Sequence, residues 1–189
     1  MGDYFSYIKD ETSRKLTITL AALLEKESLD KITTSELLEQ SGVSRSTFYR
    51  RYHDKYDLLT ANYQQLLNAT IGMVPDGMPY KTAFFNLYQV LKEHPVFFRN
   101  AFAYEGPNGL KTFIFKKSYK VFETMLRRQG VNMDSRYYQW LLSGYLNGAL
   151  EISCRWIESG MKEPIDFLFR INYELIPHEI QMHLALSYT

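Results

Sequence analysis

A single cysteine, Cys154, stands among 189 residues. That excludes an internal disulfide framework and suits a reducing compartment; the thiol itself reads as a small buried hydrophobe. No stretch approaches about 18 consecutive apolar residues, so no membrane-spanning helix is expected. The opening MGDYFSYIKDETSRK lacks the apolar run of a secretory signal, and the chain is expected in the cytoplasm. An excess of charge is missing too. Lys and Arg number 22 against 21 Asp and Glu, for a net charge of +1, so gross electrostatics point to no partner. Strand-like alternation, internal repeats and low-complexity segments are also lacking.

The signatures of chemistry are absent as well. There is no Gly-rich phosphate loop, no G-x-S-x-G elbow and no CxxC pair. His178-Glu179 with His183 is not HExxH: the second His stands five positions on, about 140° round a helix that turns roughly 100° per residue. We therefore expect no catalytic residue, no metal and no cofactor.

What the chain does have is helical periodicity throughout and an apolar fraction of 46%, enough for a sizeable core. The expected fold is all-α with about nine helices. The first runs from Tyr4 to Lys26 and the second opens at Thr33. A third follows the Gly42 turn, and a connecting helix runs from Lys55 to the break at Val74–Pro79. Five more follow: Tyr80–Lys92, Pro95–Phe102, Leu110–Gln129, Asp134–Ser159 and one from Pro164 to about His183.

The most informative stretch is GVSRSTFYRRYHDKYDLL, from Gly42 to Leu59. Before it, Thr33 and Glu36 have capping-box spacing, and Leu37 and Leu38 supply a buried face. Gly42 takes positive φ cheaply, Val43 plugs the space between two helices, and Ser44 caps the next one. Phe48 and Tyr52 fall at i and i+4 and pack inward. Arg45, Ser46, Tyr49 and Arg50 are left to face outward. Such a helix suits a DNA major groove, although a helical hairpin inside an all-α core carries the same turn and caps. Four basic residues and one acid lie between Ser44 and Lys55, yet residues 1–60 hold nine basic and ten acidic residues, so any footprint is focused.

Residues from about 8 to 60 resemble the DNA-binding domain of the TetR family of bacterial transcription regulators. The match rests on Ile32-Thr33-Thr34, Gly42-Val43-Ser44, Thr47-Phe48-Tyr49, Lys55 and Leu58-Leu59. The resemblance implies a recognition helix from Ser44 to Arg51, with Arg45, Ser46, Tyr49 and Arg50 near bases. It implies phosphate contacts from Thr34, Thr47, Tyr49, His53 and Lys55. Tyr52, Arg51 and Tyr56 depart from the usual pattern, and Arg51 either adds a phosphate contact or is solvated. The division expected is a helix-turn-helix domain at 1–54 and a ligand-binding and dimerisation domain at 55–189.

In the second part, the 134–159 helix is apolar almost all round, including Tyr137, Trp140, Tyr145, Ile152 and Trp156. Gly144 and Gly148 give it a smooth stripe. It packs either within one subunit or, with Phe167, Ile171 and Leu175, across a dimer; the family resemblance favours the dimer. Two-fold symmetry would then call for a palindromic double-stranded operator. Twelve Phe and Tyr crowd residues 80–122, as core or as the lining of a cavity for an unknown small-molecule effector. Tyr88, Phe102, Tyr119, Tyr145 and Arg155 are the candidate ligand contacts. Six basic residues from Lys111 to Arg128 read as a solvated face. Cys154-Arg155-Trp156-Ile157-Glu158-Ser159-Gly160-Met161 resembles a TetR C-terminal type of low-GC Gram-positive bacteria that includes dihydroxyacetone kinase regulators. The expected function is a ligand-responsive repressor; an activator working with a protein coactivator, or a helical interaction module that binds no DNA, are the alternatives.

Overall fold

The computed structural model describes residues 3–184, which form ten α-helices and two short 3-10 segments with no strand among the described residues. No helix is long and apolar enough to cross a membrane. The chain packs as two compact units. One comprises residues up to 67 together with 90–113, and the other 68–89 together with 114 onward.

In the first unit, α1 spans Glu11–Leu24, not Tyr4–Lys26. Tyr4–Tyr7 form a separate 3-10 turn and Ile8 is extended. The helix cannot continue back through Asp10, because that side chain turns to accept the Ser13 N–H at 2.8 Å as an N-cap. Leu16, Leu20, Leu23 and Leu24 are buried along its inner face. Next come α2 (Thr34–Ser41), α3 (Arg45–Tyr49) and α4 (Lys55–Ala69). The unit is completed by α6 (Pro95–Phe102), whose Asn100 amide donates to the Leu24 carbonyl at the end of α1. Phe97 and Phe98 of α6 meet the Tyr4 ring at 5.5 and 5.1 Å between centroids, and Phe98 and Phe102 meet Tyr63 of α4 edge-on.

One polar seam runs through this apolar packing. Tyr52 Oη donates to Ser13 Oγ at 2.6 Å, Thr17 Oγ1 donates to the Ser13 carbonyl at 2.8 Å, and Asn62 Nδ2 of α4 donates to Thr17 Oγ1 at 2.8 Å. Ser13, Thr17 and Asn62 are all buried, and each finds a partner there.

In the second unit, a 3-10 segment at Ile71–Asp76 follows α4, and α5 (Tyr80–Glu93) and α7 (Leu110–Arg128) each contribute to both units. Then come α8 (Arg136–Glu158), α9 (Ile165–Glu174) and α10 (His178–Leu184). The expected single last helix is two, which raises the count from nine to ten. Pro177 has no N–H to donate and disfavours helical backbone at the residue before it, so the chain restarts at His178. The expected cap of α8 also moves, from Asp134 to Ser135.

Candidate nucleic-acid interface

The interface is assembled from caps. The Thr33 hydroxyl accepts the Glu36 N–H at 3.1 Å and starts α2. Gly42 ends it with φ of 63°, a left-handed position where a side chain is strained. The Ser44 hydroxyl then accepts the Thr47 N–H at 3.2 Å and starts α3. Asp54 does the same for α4, accepting from Asp57 N at 2.8 Å, while the Asp57 carboxylate reaches back to the His53 N–H at 3.0 Å.

Phe48 and Tyr52 are buried beneath α3. Arg45, Ser46, Tyr49 and Arg50 are exposed on its outer side, with Tyr49 at 52% and its ring edge-on to Phe48. Ser44 is exposed, and Thr47 is half-buried with its hydroxyl 2.9 Å from Ser44 Oγ. Thr34 is half-buried at the first turn of α2, and His53 is exposed.

Two basic residues are less free than their sequence positions suggest. Lys55 is buried, and its ammonium donates to the Asp30 carbonyl at 3.0 Å and to the Ile32 carbonyl. Burial lowers its pKa against the opposing pull of Asp30, Asp54 and Glu27. It also sits 5.0 Å from the centroid of Tyr56, which stacks on Tyr104. Arg51 pairs with Asp10 at 2.9 Å, tying the residues after α3 to the start of α1. Sequence reasoning missed both anchors, because each partner lies on a different element and leaves no local signal.

In the second unit, Tyr88 and Tyr145 belong to one buried cluster. Tyr88 Oη bonds Ser153 Oγ, which in turn donates to the Ala149 carbonyl at 2.8 Å, and the Tyr80 and Tyr145 hydroxyls are 3.2 Å apart. Burial raises the pKa of Tyr80, Tyr88 and Tyr145, which favours the neutral phenols. The other expected ligand contacts lie elsewhere. Tyr119 is half-exposed beside Phe115, Arg155 points outward to Glu151 at 2.8 Å, and Phe102 belongs to the first unit.

The expected dimer residues behave unequally. Phe167 and Leu175 are exposed at 47% and 40%, Gly144 faces open space, Ile152 and Ile171 are half-buried, and Gly148 lies against Leu175 of the same chain. Trp140 at 74%, Tyr137 at 56% and Met182 at 66% add to the exposed apolar surface. The apolar pattern left open whether Trp140 and Tyr137 pack within one subunit or across a dimer; in the single chain both are exposed. The basic face of α7 is largely neutralised: Lys120 and Arg127 pair with Glu123, and Arg128 bonds the Pro75 carbonyl and Asp76. Among the described residues, the one group with several metal-type donor atoms in mutual reach is Asp3, Glu93 and His94, and there His94 already contacts Asp3.

A family model described as "Bacterial regulatory proteins, tetR family" matches residues 19–61, and one described as "Transcriptional regulator C-terminal region" matches residues 80–178. No curated protein matches the sequence. A solved structure of "Dihydroxyacetone kinase operon activator DhaS" has the same fold, with a TM-score of 0.62 at 14% identity over 91% of this chain and 97% of that one. The helix-turn-helix geometry and the two matched regions agree: the chain belongs to the TetR family of DNA-binding transcription regulators, not to a family of enzymes.

Proposed function

We propose that the chain is a cytoplasmic homodimeric repressor that binds a palindromic operator and responds to a small molecule. The observation that carries this reading is the outward row of Arg45, Ser46, Tyr49 and Arg50 above the buried Phe48 and Tyr52. Guanidinium and hydroxyl donors on a rigidly seated helix are the groups that read base edges in a major groove. Thr34, Ser44, Thr47 and His53 flank them as phosphate contacts. Lys55 joins that set chiefly by stiffening the loop before α2, since its ammonium is spent on two carbonyls. The functional division falls near residue 54, with reading before it and regulation after it.

The exposed Tyr137, Trp140, Phe167, Leu175 and Met182 of the second unit support a dimer face. Gly144 supports close approach of a second helix. The buried hydroxyl pairs Tyr88–Ser153 and Tyr80–Tyr145 are the polar points around which an effector would be seated. Footprinting on the region upstream of the chain's own gene tests this reading. Two protected half-sites about one helical turn or a multiple apart are expected, and the absence of protection overturns it. Gly144→Arg should convert a dimer to monomer in sedimentation, and an unchanged mass removes that face from the interface.

Activation is the second reading, favoured by the fold shared with an operon activator. Transcription in vitro from the footprinted promoter separates the two: repression lowers transcript and activation raises it.

A further inference from the structure

We infer that a groove beside the recognition helix is a seat for one backbone phosphate of the duplex, with Lys15 of α1 as its cation. This rests on the DNA-binding reading and adds a residue outside the helix-turn-helix itself. The groove has a volume of about 300 Å³ and lies between the first turns of α1 and the start of α3. Glu11, Thr12 and Lys15 line it on one side, and Gly42, Ser44 and Thr47 on the other.

Three observations converge there. The first is charge that is not committed. Lys15 is exposed, and its ammonium makes no ion pair or hydrogen bond among the described residues. By contrast, Arg51 is held by Asp10, Lys55 by two carbonyls and Arg45 by Ser35. The second is space. Lys15 Nζ lies 3.7 Å from where a Cβ on Gly42 would stand, so the ammonium projects over a turn that carries no side chain. The third is direction. Positions 44, 47 and 51 share one flank of α3, distinct from the face carrying Arg45, Ser46, Tyr49 and Arg50. A helix about 10–12 Å across fills a major groove about 12 Å wide, so its flanks meet the phosphate walls while its outer face meets bases.

The Ser44–Thr47 flank therefore meets a phosphodiester, and the groove extends that contact to Lys15. The Thr47 hydroxyl and an ammonium suit a phosphodiester oxygen, because both donate and one is charged, while Ser44 Oγ donates to Thr47 Oγ1 at 2.9 Å and orients it. Glu11 is the counterweight. Its carboxylate shares the groove, repels the phosphate and keeps the attraction moderate. Contacts of this kind position the protein without reading sequence.

The test uses the full chain and a mixed-sequence 30-base-pair duplex, with affinity measured by fluorescence anisotropy across a KCl series. Lys15→Gln should reduce the log–log salt slope by about 0.9 per bound subunit, about 1.8 for the proposed dimer with both subunits on the duplex, so its deficit should narrow about twelvefold between roughly 50 and 200 mM KCl. Lys15→Arg should keep the slope, and Glu11→Gln should tighten binding at low salt. Lys26→Gln, at the other end of α1, removes the same charge and should leave the slope unchanged. A Lys15→Gln slope equal to wild type overturns the seat while leaving DNA binding intact. So does a loss matched by Lys26→Gln. If the wild-type chain binds no duplex at any salt, the DNA-binding reading falls and the seat falls with it.

Discussion

Arg45 Nη2 donates to Ser35 Oγ at 2.8 Å, so the guanidinium that we propose reads a base is held from the neighbouring helix α2. A long side chain that is already oriented loses less rotamer freedom when it meets its target. Arg45→Ala should cost about 1–3 kcal/mol if the contact is bidentate, and should relax preference at one operator position. Ser35→Ala, a surface change, should leave stability within about 0.5 kcal/mol while weakening discrimination at that same position. Competition binding against single-base operator variants checks both. An equal loss on every variant would assign Arg45 to phosphate.

Lys55 separates a structural role from an electrostatic one. Lys55→Met keeps the stem but strands the Asp30 and Ile32 carbonyls, and should destabilise the fold by about 1–3 kcal/mol in urea unfolding. Binding should weaken alike on all operator variants. If the variant is as stable as wild type and only the salt dependence flattens, the side chain serves phosphate alone.

Acid should loosen the reader domain through Asp10. Its carboxyl is held below the ordinary 3.8 first by the Ser13 N–H, then by the Ser13 hydroxyl, with Arg51 adding to both. The folded form therefore binds fewer protons than the unfolded chain between the two pKa values. This contribution is complete above the unfolded value of 3.8 and is lost as pH falls through the folded one. Asp10→Ala should cost about 0.5–2 kcal/mol near neutrality as a lost helix cap, and its melting temperature should fall less steeply in acid than wild type. Parallel slopes for the two proteins would show that Asp10 does not titrate with unfolding.

Tyr4 Oη is buried without a hydrogen-bond partner, and burial drives its pKa far up. Removing an unsatisfied hydroxyl restores nothing to water and empties little space, so Tyr4→Phe should be neutral or stabilising in a thermal melt. A clear loss of stability would mean that the hydroxyl is bonded in solution. The raised values at Tyr4, Tyr80, Tyr88 and Tyr145 also fix the alkaline limb. Their contribution is complete below the unfolded value of 10.0 and is lost as pH rises toward the folded ones, so the share of tyrosinate absorbance that belongs to these four should appear together with unfolding.

The reader domain was legible in the sequence because its signals are local. Thr33 and Ser44 cap as their spacing says, Gly42 takes the left-handed turn, and Phe48 and Tyr52 turn inward. What stayed hidden depended on partners far along the chain. Lys55 reads as a surface cation until Ile32 is seen 23 residues away. Arg51 reads as a phosphate contact or as a solvated cation until Asp10 is beside it. Periodicity left Trp140 open between the interior of one subunit and a face between two, because an apolar stripe has the same spacing in either place, and in the single chain it is exposed. Composition likewise could not distribute the rings. Phe102 joined α4 instead of the Tyr88 cluster, since ring-rich helices find whichever neighbour the topology supplies.

The seam of Tyr52, Ser13, Thr17 and Asn62 carries a mechanical meaning. Oily surfaces slide past one another at little cost, but directional bonds sunk among them fit at a single alignment. Helices α1 and α4 and the residue Tyr52 just after α3 are thus keyed like a tumbler lock. A tug on α4 therefore carries α1 and Tyr52 with it as one piece.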